Sequence, residues 1–257
     1  MWFAYPMTEV HVHGPHATVR APGLEDEVAV EEPLEIRVDG RPLAVTMRTP
    51  GHDEELALGF LFGEGLIDGP RPAEPTLEAN TVEVTGPLVR EVTARSFYTS
   101  SSCGVCGKGA LEEVAVHSEP AAPGPSVARD LLAALPDRLR QPTFERTGGL
   151  HATGLFTPAG ELVCVREDVG RHNAMDKVIG WALREGLLPL HPHLLCVSGR
   201  LSFELVQKAA VAGAPALVGV GAPTSLAVRL ADDRGLTLCG FARGGRINVY
   251  TGAERVR

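Results

Sequence analysis

The residues of this chain best suited to chemistry lie between Thr99 and Gly109. There the run Thr-Ser-Ser-Ser-Cys-Gly-Val-Cys-Gly-Lys-Gly sets two thiols, Cys103 and Cys106, among glycine and serine, with Lys108 close behind. Small neighbours leave a thiol open to a reaction partner, and nearby positive charge lowers its pKa toward neutrality, so the pair reads as reactive cysteine. The competing reading is half of a zinc site. Tetrahedral zinc takes four ligands, and the sequence has neither a second Cys-x-x-Cys nor a histidine pair at finger spacing. No bound zinc or other metal is expected. A thioredoxin-type redox pair would open a helix directly after a strand of a βαβ unit, whereas this loop precedes the part of the chain with that pattern. Cys164, Cys196 and Cys239 have apolar, strand-like neighbours and read as core.

A second group of residues is suited to binding. Ser198-Gly199-Arg200, Gly221-Ala222-Pro223 and Phe241-Ala242-Arg243-Gly244-Gly245-Arg246 each follow a short apolar run. In an open α/β sheet, ligands sit outside the carboxyl ends of the strands, where loops expose N–H groups and helix N termini. Alone, each loop is a helix cap or a tight turn; together the three could hold a nucleotide. Gly219 to Thr224 lacks the third glycine of the dinucleotide fingerprint and no phosphate-binding lysine loop occurs, so a standard NAD or ATP site is not supported. Arg166 to Asn173, with Arg171 and His172, packs polar residues into a predicted loop before a helix and joins the candidate site. His151 followed by Thr153 resembles the His-x-Glu of zinc deaminases, but Thr153 stands where the catalytic glutamate would be, which disables deamination.

Two kinds of element must position these groups. Leu34, Ile36 and Val38, then Leu43, Val45 and Met47, alternate with polar residues around Asp39-Gly40 and predict a hairpin. A helix follows from Asp53 to about Gly63 or Gly65. Thr81–Val84 and Leu88–Ala94 read as strands, and the first 27 residues as a frayed or edge segment. Residues 118–126 are the most linker-like, so the expected division is 28–125, an α+β part carrying the Cys-x-x-Cys loop, and 126–257, an α/β part. In the latter, strands near 150–156, 161–165, 194–197, 216–220 and 236–239 alternate with helices near 173–184, 203–212 and 225–231. That order predicts a mostly parallel sheet.

Composition narrows the function classes. The 257 residues carry 24 bases against 32 acids, a formal charge of -8, which argues against nucleic-acid or anionic-membrane partners. No apolar run reaches the roughly 20 residues a membrane helix needs. The opening Met-Trp-Phe-Ala-Tyr-Pro lacks the features of an export signal, so a reducing cytoplasm is expected.

Several motifs stand in the order of one known family: Glu31–Leu34, Glu54–Gly65, Ser102–Gly107, Asp168–Lys177, Ser198–Arg200 and Phe241–Thr251. From about residue 28 to 252 the chain resembles the FdhD family, sulfur carriers or sulfurtransferases required for formate dehydrogenase activity. The resemblance implies a smaller N-terminal part and a C-terminal three-layer α/β domain like cytidine deaminase without its zinc. It implies that sulfur is accepted from a cysteine desulfurase and delivered to the bis-molybdopterin guanine dinucleotide cofactor of molybdenum before insertion into formate dehydrogenase. It places the persulfide on Cys103, gives Cys106 a supporting role, and assigns cofactor binding to Phe241–Arg246, with GDP as a mimic. The expected assembly is a symmetric homodimer. The rival reading is a non-enzymatic cofactor-binding chaperone whose Cys-x-x-Cys is a docking or zinc site.

Overall fold

The computed structural model describes residues 8–90 and 124–257. Cys103 and Cys106, and residues 91–94 of the strand expected over Leu88–Ala94, lie outside the described residues.

Strands β1 (Glu9–His13), β2 (His16–Ala21) and β3 (Leu24–Ala29) form a three-stranded antiparallel sheet. Of the two readings offered for residues 1–27, a frayed or an edge segment, the described part is strand and not frayed. Val10 and Val12 do alternate with Glu9, His11 and His13, but every residue of β1 is exposed, so the strand shows no buried apolar stripe. The predicted hairpin is present as β4 (Glu32–Val38) and β5 (Arg41–Arg48), with Asp39 and Gly40 at φ 46° and 74°. Two positive φ values in succession give the type I′ turn whose twist matches the flanking strands. β6 (Ala73–Pro75), in a stretch read only as a connection, and β7 (Thr81–Val84) complete a sheet ordered β5-β4-β7-β6. Leu88–Arg90 form no strand.

Helix α1 (Asp53–Gly63) begins with Asp53, Glu54 and Glu55 in its first turn, where negative charge meets the positive end of the helix dipole. Its Leu56, Leu58 and Leu61 share a core with Leu34, Ile36, Val82 and Val84.

The C-terminal part runs α2 (Arg129–Ala134), α3 (Pro142–Thr147), β8 (His151–Phe156), β9 (Leu162–Asp168), α4 (Arg171–Arg184), β10 (Leu194–Val197), α5 (Phe203–Val211), β11 (Ala216–Gly219), α6 (Ser225–Asp233), β12 (Thr237–Arg243) and β13 (Arg246–Thr251). The strands form one sheet ordered β13-β12-β11-β10-β8-β9. Only the β10–β11 and β11–β12 pairings are parallel; those of β8 with β10, β8 with β9 and β12 with β13 are antiparallel, although β9 runs in the direction of β10. The expected mostly parallel sheet is therefore a mixed one. A helix connects each parallel pair, but β8–β9 and β12–β13 are hairpins, and a hairpin can only pair antiparallel.

Both faces of this sheet are buried, with the period of two a strand requires. Leu195 and Val197 face the core under α4, α5 and α6, while Leu194 and Cys196 face the core under α2. The two parts of the chain meet where α1 crosses α4. A Cβ at Gly59 would lie 1.8 Å from the Asp176 carbonyl oxygen, and one at Gly180 would lie 1.8 Å from that of Glu55. The two backbones touch through a glycine from each helix.

Candidate functional site

The three loops singled out above meet at the carboxyl ends of β10, β11 and β12. The Gly221 N–H donates to Gly199 O at 3.0 Å, and the Phe241 N–H donates to Gly221 O at 3.1 Å. Leu201 N–H donates to Ala222 O, and Thr224 N–H to Leu201 O, each at 3.0 Å. Gly221 is held to glycine by this approach, because a Cβ there would lie 2.9 Å from the Arg200 Cα and 3.0 Å from Gly199 O. Ser202 and Thr224 occupy the N-cap positions of α5 and α6, and the Thr224 hydroxyl oxygen accepts from Ala227 N. The Ser198 hydroxyl oxygen accepts from Ala152 N at 2.9 Å, which ties its loop to β8.

The start of α4 completes the edge. His172 Nε2 lies 3.3 Å from Ser202 Oγ and 2.7 Å from a Glu204 carboxylate oxygen, so the first turns of α4 and α5 touch. That bond to His172 holds the Glu204 carboxyl below its usual range. His151 lies beneath Gly199, whose Cβ would stand 3.3 Å from His151 Nδ1 and 4.0 Å from Arg171 Cδ. Burial lowers the His151 pKa, and Arg171, His172 and Arg200 push it the same way. Arg171 and Arg200 outnumber the one carboxylate, Glu204, that the His172 pair brings here, so the edge is cationic on balance. The buried Arg171 Nε has no hydrogen-bond partner, and among the described residues no carboxylate pairs with Arg171 or Arg200. Guanidinium groups beside helix N termini suit an anion such as a phosphate.

The run from Arg166 to Asn173 divides between two jobs. It is not a loop: β9 continues to Asp168 and α4 starts at Arg171, leaving Val169 and Gly170 between them. Arg166 chelates Glu55 of α1 at 2.6 and 2.9 Å. Glu167 accepts from Thr143 N and Phe144 N at the start of α3. Asp168, fully buried, accepts from Thr49 N, Gly170 N and Asn173 Nδ2 and pairs with Lys177 Nζ at 2.7 Å. Lys177 Nζ also donates to Thr49 O, and Asn173 Nδ2 to Met47 O. A buried carboxylate is tolerable when its oxygens are satisfied in this way, and the arrangement ties the end of β5 to the β9–α4 junction. Only Arg171 and His172 of this run face the site.

The segment Phe241–Arg246 is likewise not a loop. β12 runs on to Arg243, Gly244 and Gly245 turn at φ 56° and 73°, and β13 leaves from Arg246. Phe241 is bonded to the glycine loops and exposed, whereas Ala242 is buried in the core under α2. Arg243 and Arg246 pair across the turn and are both exposed. Glycine pairs and arginine suggest a phosphate loop as readily as a hairpin turn, which is why the strand extension was not legible.

Burial raises the thiols of Cys164 to about 11 and Cys239 to about 12, and that of Cys196 as well, as core cysteine requires. Among the described residues there is no group of three His, Cys, Asp or Glu that could hold a metal ion. No described helix is long and apolar enough to cross a membrane.

Fold and site together define an α/β protein with a cationic, glycine-lined edge at the carboxyl ends of three parallel strands. The chain belongs to the FdhD/NarQ family, whose model matches residues 29–257. It is 54% identical over 251 residues to the sulfur carrier protein FdhD of Streptomyces coelicolor, covering 90% of this chain and 89% of that one. It is 51% identical over 254 residues to the protein of the same name from Mycobacterium tuberculosis, covering 90% and 92%. A crystal structure described as that of a formate dehydrogenase accessory protein from Desulfotalea psychrophila superposes with a TM-score of 0.74 at 27% identity, over 98% of this chain and all of that one.

Proposed function

We propose that this protein is a sulfur carrier: Cys103 accepts sulfur from a cysteine desulfurase, and the sulfur passes to a bis-molybdopterin guanine dinucleotide cofactor of molybdenum before formate dehydrogenase receives it. The observation that carries this reading is the cationic strand edge, with Arg171 and Arg200 unpaired beside three joined loops, in a chain of this family that also carries the Cys-x-x-Cys. Guanine dinucleotide tails bring phosphates and flat bases; the two arginines and the helix N termini suit the first, and the exposed Phe241 suits the second.

The sulfur chemistry balances on two thiols. The Cys103 thiolate attacks the outer sulfur of the donor's persulfide, the donor's S–S bond breaks, and the donor leaves as thiolate. The oxidation level is unchanged and Cys103 holds the persulfide. Release as sulfide needs two electrons. Attack of the Cys106 thiolate on the Cys103 sulfur supplies them, expelling hydrosulfide and leaving a Cys103–Cys106 disulfide for a thiol reductant to restore.

Activation of formate dehydrogenase in a strain lacking the endogenous carrier tests the reading. Cys103→Ala is expected to abolish activation while GDP binding stays at the wild-type value, and Cys106→Ala to reduce activation less. Full activation by Cys103→Ala contradicts the proposal.

A further inference from the structure

The β12–β13 hairpin departs from regular pairing twice, and each departure displays an aromatic residue. Leu238 pairs with Thr251 and Cys239 with Val249, so Tyr250 is an extra residue on β13. Gly240 pairs with Asn248 and Arg243 with Arg246, so Phe241 and Ala242 together oppose Ile247. Bulges of this kind re-aim side chains and gather beside binding sites. The bulge on β12 also carries backbone strain, because Phe241 has φ 53°, in the left-handed region where a bulky residue is an outlier.

Tyr250 is 37% exposed and Phe241 49%. The Tyr250 ring nevertheless has a defined seat. A Cβ on Gly240 would lie 3.1 Å from Tyr250 Cε2, and equally 3.1 Å from Gly221 O and from Pro223 Cδ. The ring therefore lies over the backbone of Gly240, beside the glycine loop that accepts the Phe241 N–H and bonds to Gly199. A side chain at Gly240 would press on the ring, which would have to give by a few tenths of an ångström. A seated aromatic ring that stays open to solvent is a platform for a flat π surface, and the unpaired guanidinium groups stand on the same strand edge.

We infer that Tyr250 is a base-stacking wall of the nucleotide subsite, holding a purine while the phosphates lie toward Arg171 and Arg200. The inference rests on the reading of this edge as a nucleotide site and adds a second aromatic residue, beside Phe241, that would recognise a base.

Calorimetry of the full chain with GDP and with inorganic pyrophosphate separates base from phosphate recognition. Tyr250→Leu is expected to weaken GDP about tenfold and to leave pyrophosphate within about twofold, while Tyr250→Phe retains GDP, because stacking needs the ring and not the hydroxyl. In the wild-type protein, nuclear Overhauser contacts between the Tyr250 ring and guanine H8 are expected, a readout that needs no variant to fold. Wild-type GDP affinity in Tyr250→Leu, or absence of those contacts in the GDP complex, overturns the inference. If Arg171→Ala still weakens both ligands in that case, the site itself stands. Failure of the wild-type protein to bind either ligand removes the site and the inference together.

Discussion

Replacing Gly59 by alanine tests the crossing that joins the two parts of the chain, because two physical effects there have opposite signs. Gly59 is interior to α1, where alanine is favoured over glycine by about 1 kcal/mol through helix propensity alone. In isolation the change stabilises. In the folded protein the new methyl carbon would lie 1.8 Å from the Asp176 carbonyl oxygen and 2.6 Å from its carbon. Ordinary contact begins at 3.4 Å, so α1 and α4 must part by about 1.6 Å against backbone that has no rotamer to give. That opening also strains the Arg166–Glu55 pair, which ties β9 to α1, and the ion pairs by which Lys208 of α5 holds Asp176 of α4 and Glu64 just past α1. Overpacking of this kind costs about 1–3 kcal/mol, and a backbone clash stands at the upper end. Net of propensity, Gly59→Ala should lose about 2 kcal/mol, or about 4–8 °C in melting midpoint for a chain of this size. Gly180→Ala, with its Cβ at 1.8 Å from Glu55 O, should behave alike. The double variant should lose less than the two losses added, because one opening relieves both clashes. Urea and thermal midpoints of the three variants are the assay. A Gly59→Ala protein as stable as wild type, or more so, would refute the close crossing.

Three other outcomes follow from the same structure. Lys177→Met leaves the buried Asp168 carboxylate without its cation and should cost about 3–5 kcal/mol in urea unfolding, whereas an exposed ion pair such as Arg20–Glu25 should cost under about 1 kcal/mol when cut. Burial works against the Glu55 carboxylate, but the Arg166 guanidinium, with His52, overrides it and takes the pKa from 4.5 down to about 2. A depressed carboxylate stabilises above its unfolded pKa, so the advantage of wild type over Glu55→Gln, about 2–3 kcal/mol at neutral pH, should fade as pH drops from 4.5 toward 2; a pH-independent gap in urea midpoints would contradict this. Arg171→Ala should weaken GDP by about 1–3 kcal/mol in calorimetry, and the exposed Arg246→Ala by less than about 1 kcal/mol; the reverse ranking would move the phosphates to the hairpin tip.

What the sequence made legible was set by burial. The β4–β5 hairpin, α1 and the alternating units from Leu194 onward carry apolar residues at the period of their element, and the structure places them within a few residues of expectation. β1 escaped notice because all its side chains are exposed, and the extension of β12 because Phe241 to Arg246 has the composition of a loop. The convergence of Ser198–Arg200, Gly221–Pro223 and Phe241 follows from strand direction and was readable in advance. The separation of Asp168 and Asn173 from Arg171 and His172 was not, because it depends on partners more than a hundred residues away, at Met47 and Thr49. The α1–α4 crossing was not legible either, because Gly59 and Gly180 lie more than a hundred residues apart and only the fold brings their backbones together. The bulge at Tyr250 left no trace, since register is a property of the pair of strands.

The central claim is that Cys103 carries sulfur. Intact-mass spectrometry of the full chain after incubation with a cysteine desulfurase and cysteine tests it most directly. The account predicts a gain of about one sulfur mass, removed by a thiol reductant, mapped by peptide analysis to Cys103 and absent from Cys103→Ala. Stoichiometric zinc on the purified protein, with Cys103 and Cys106 resisting alkylation until a chelator is added and no gain of sulfur mass, would contradict it.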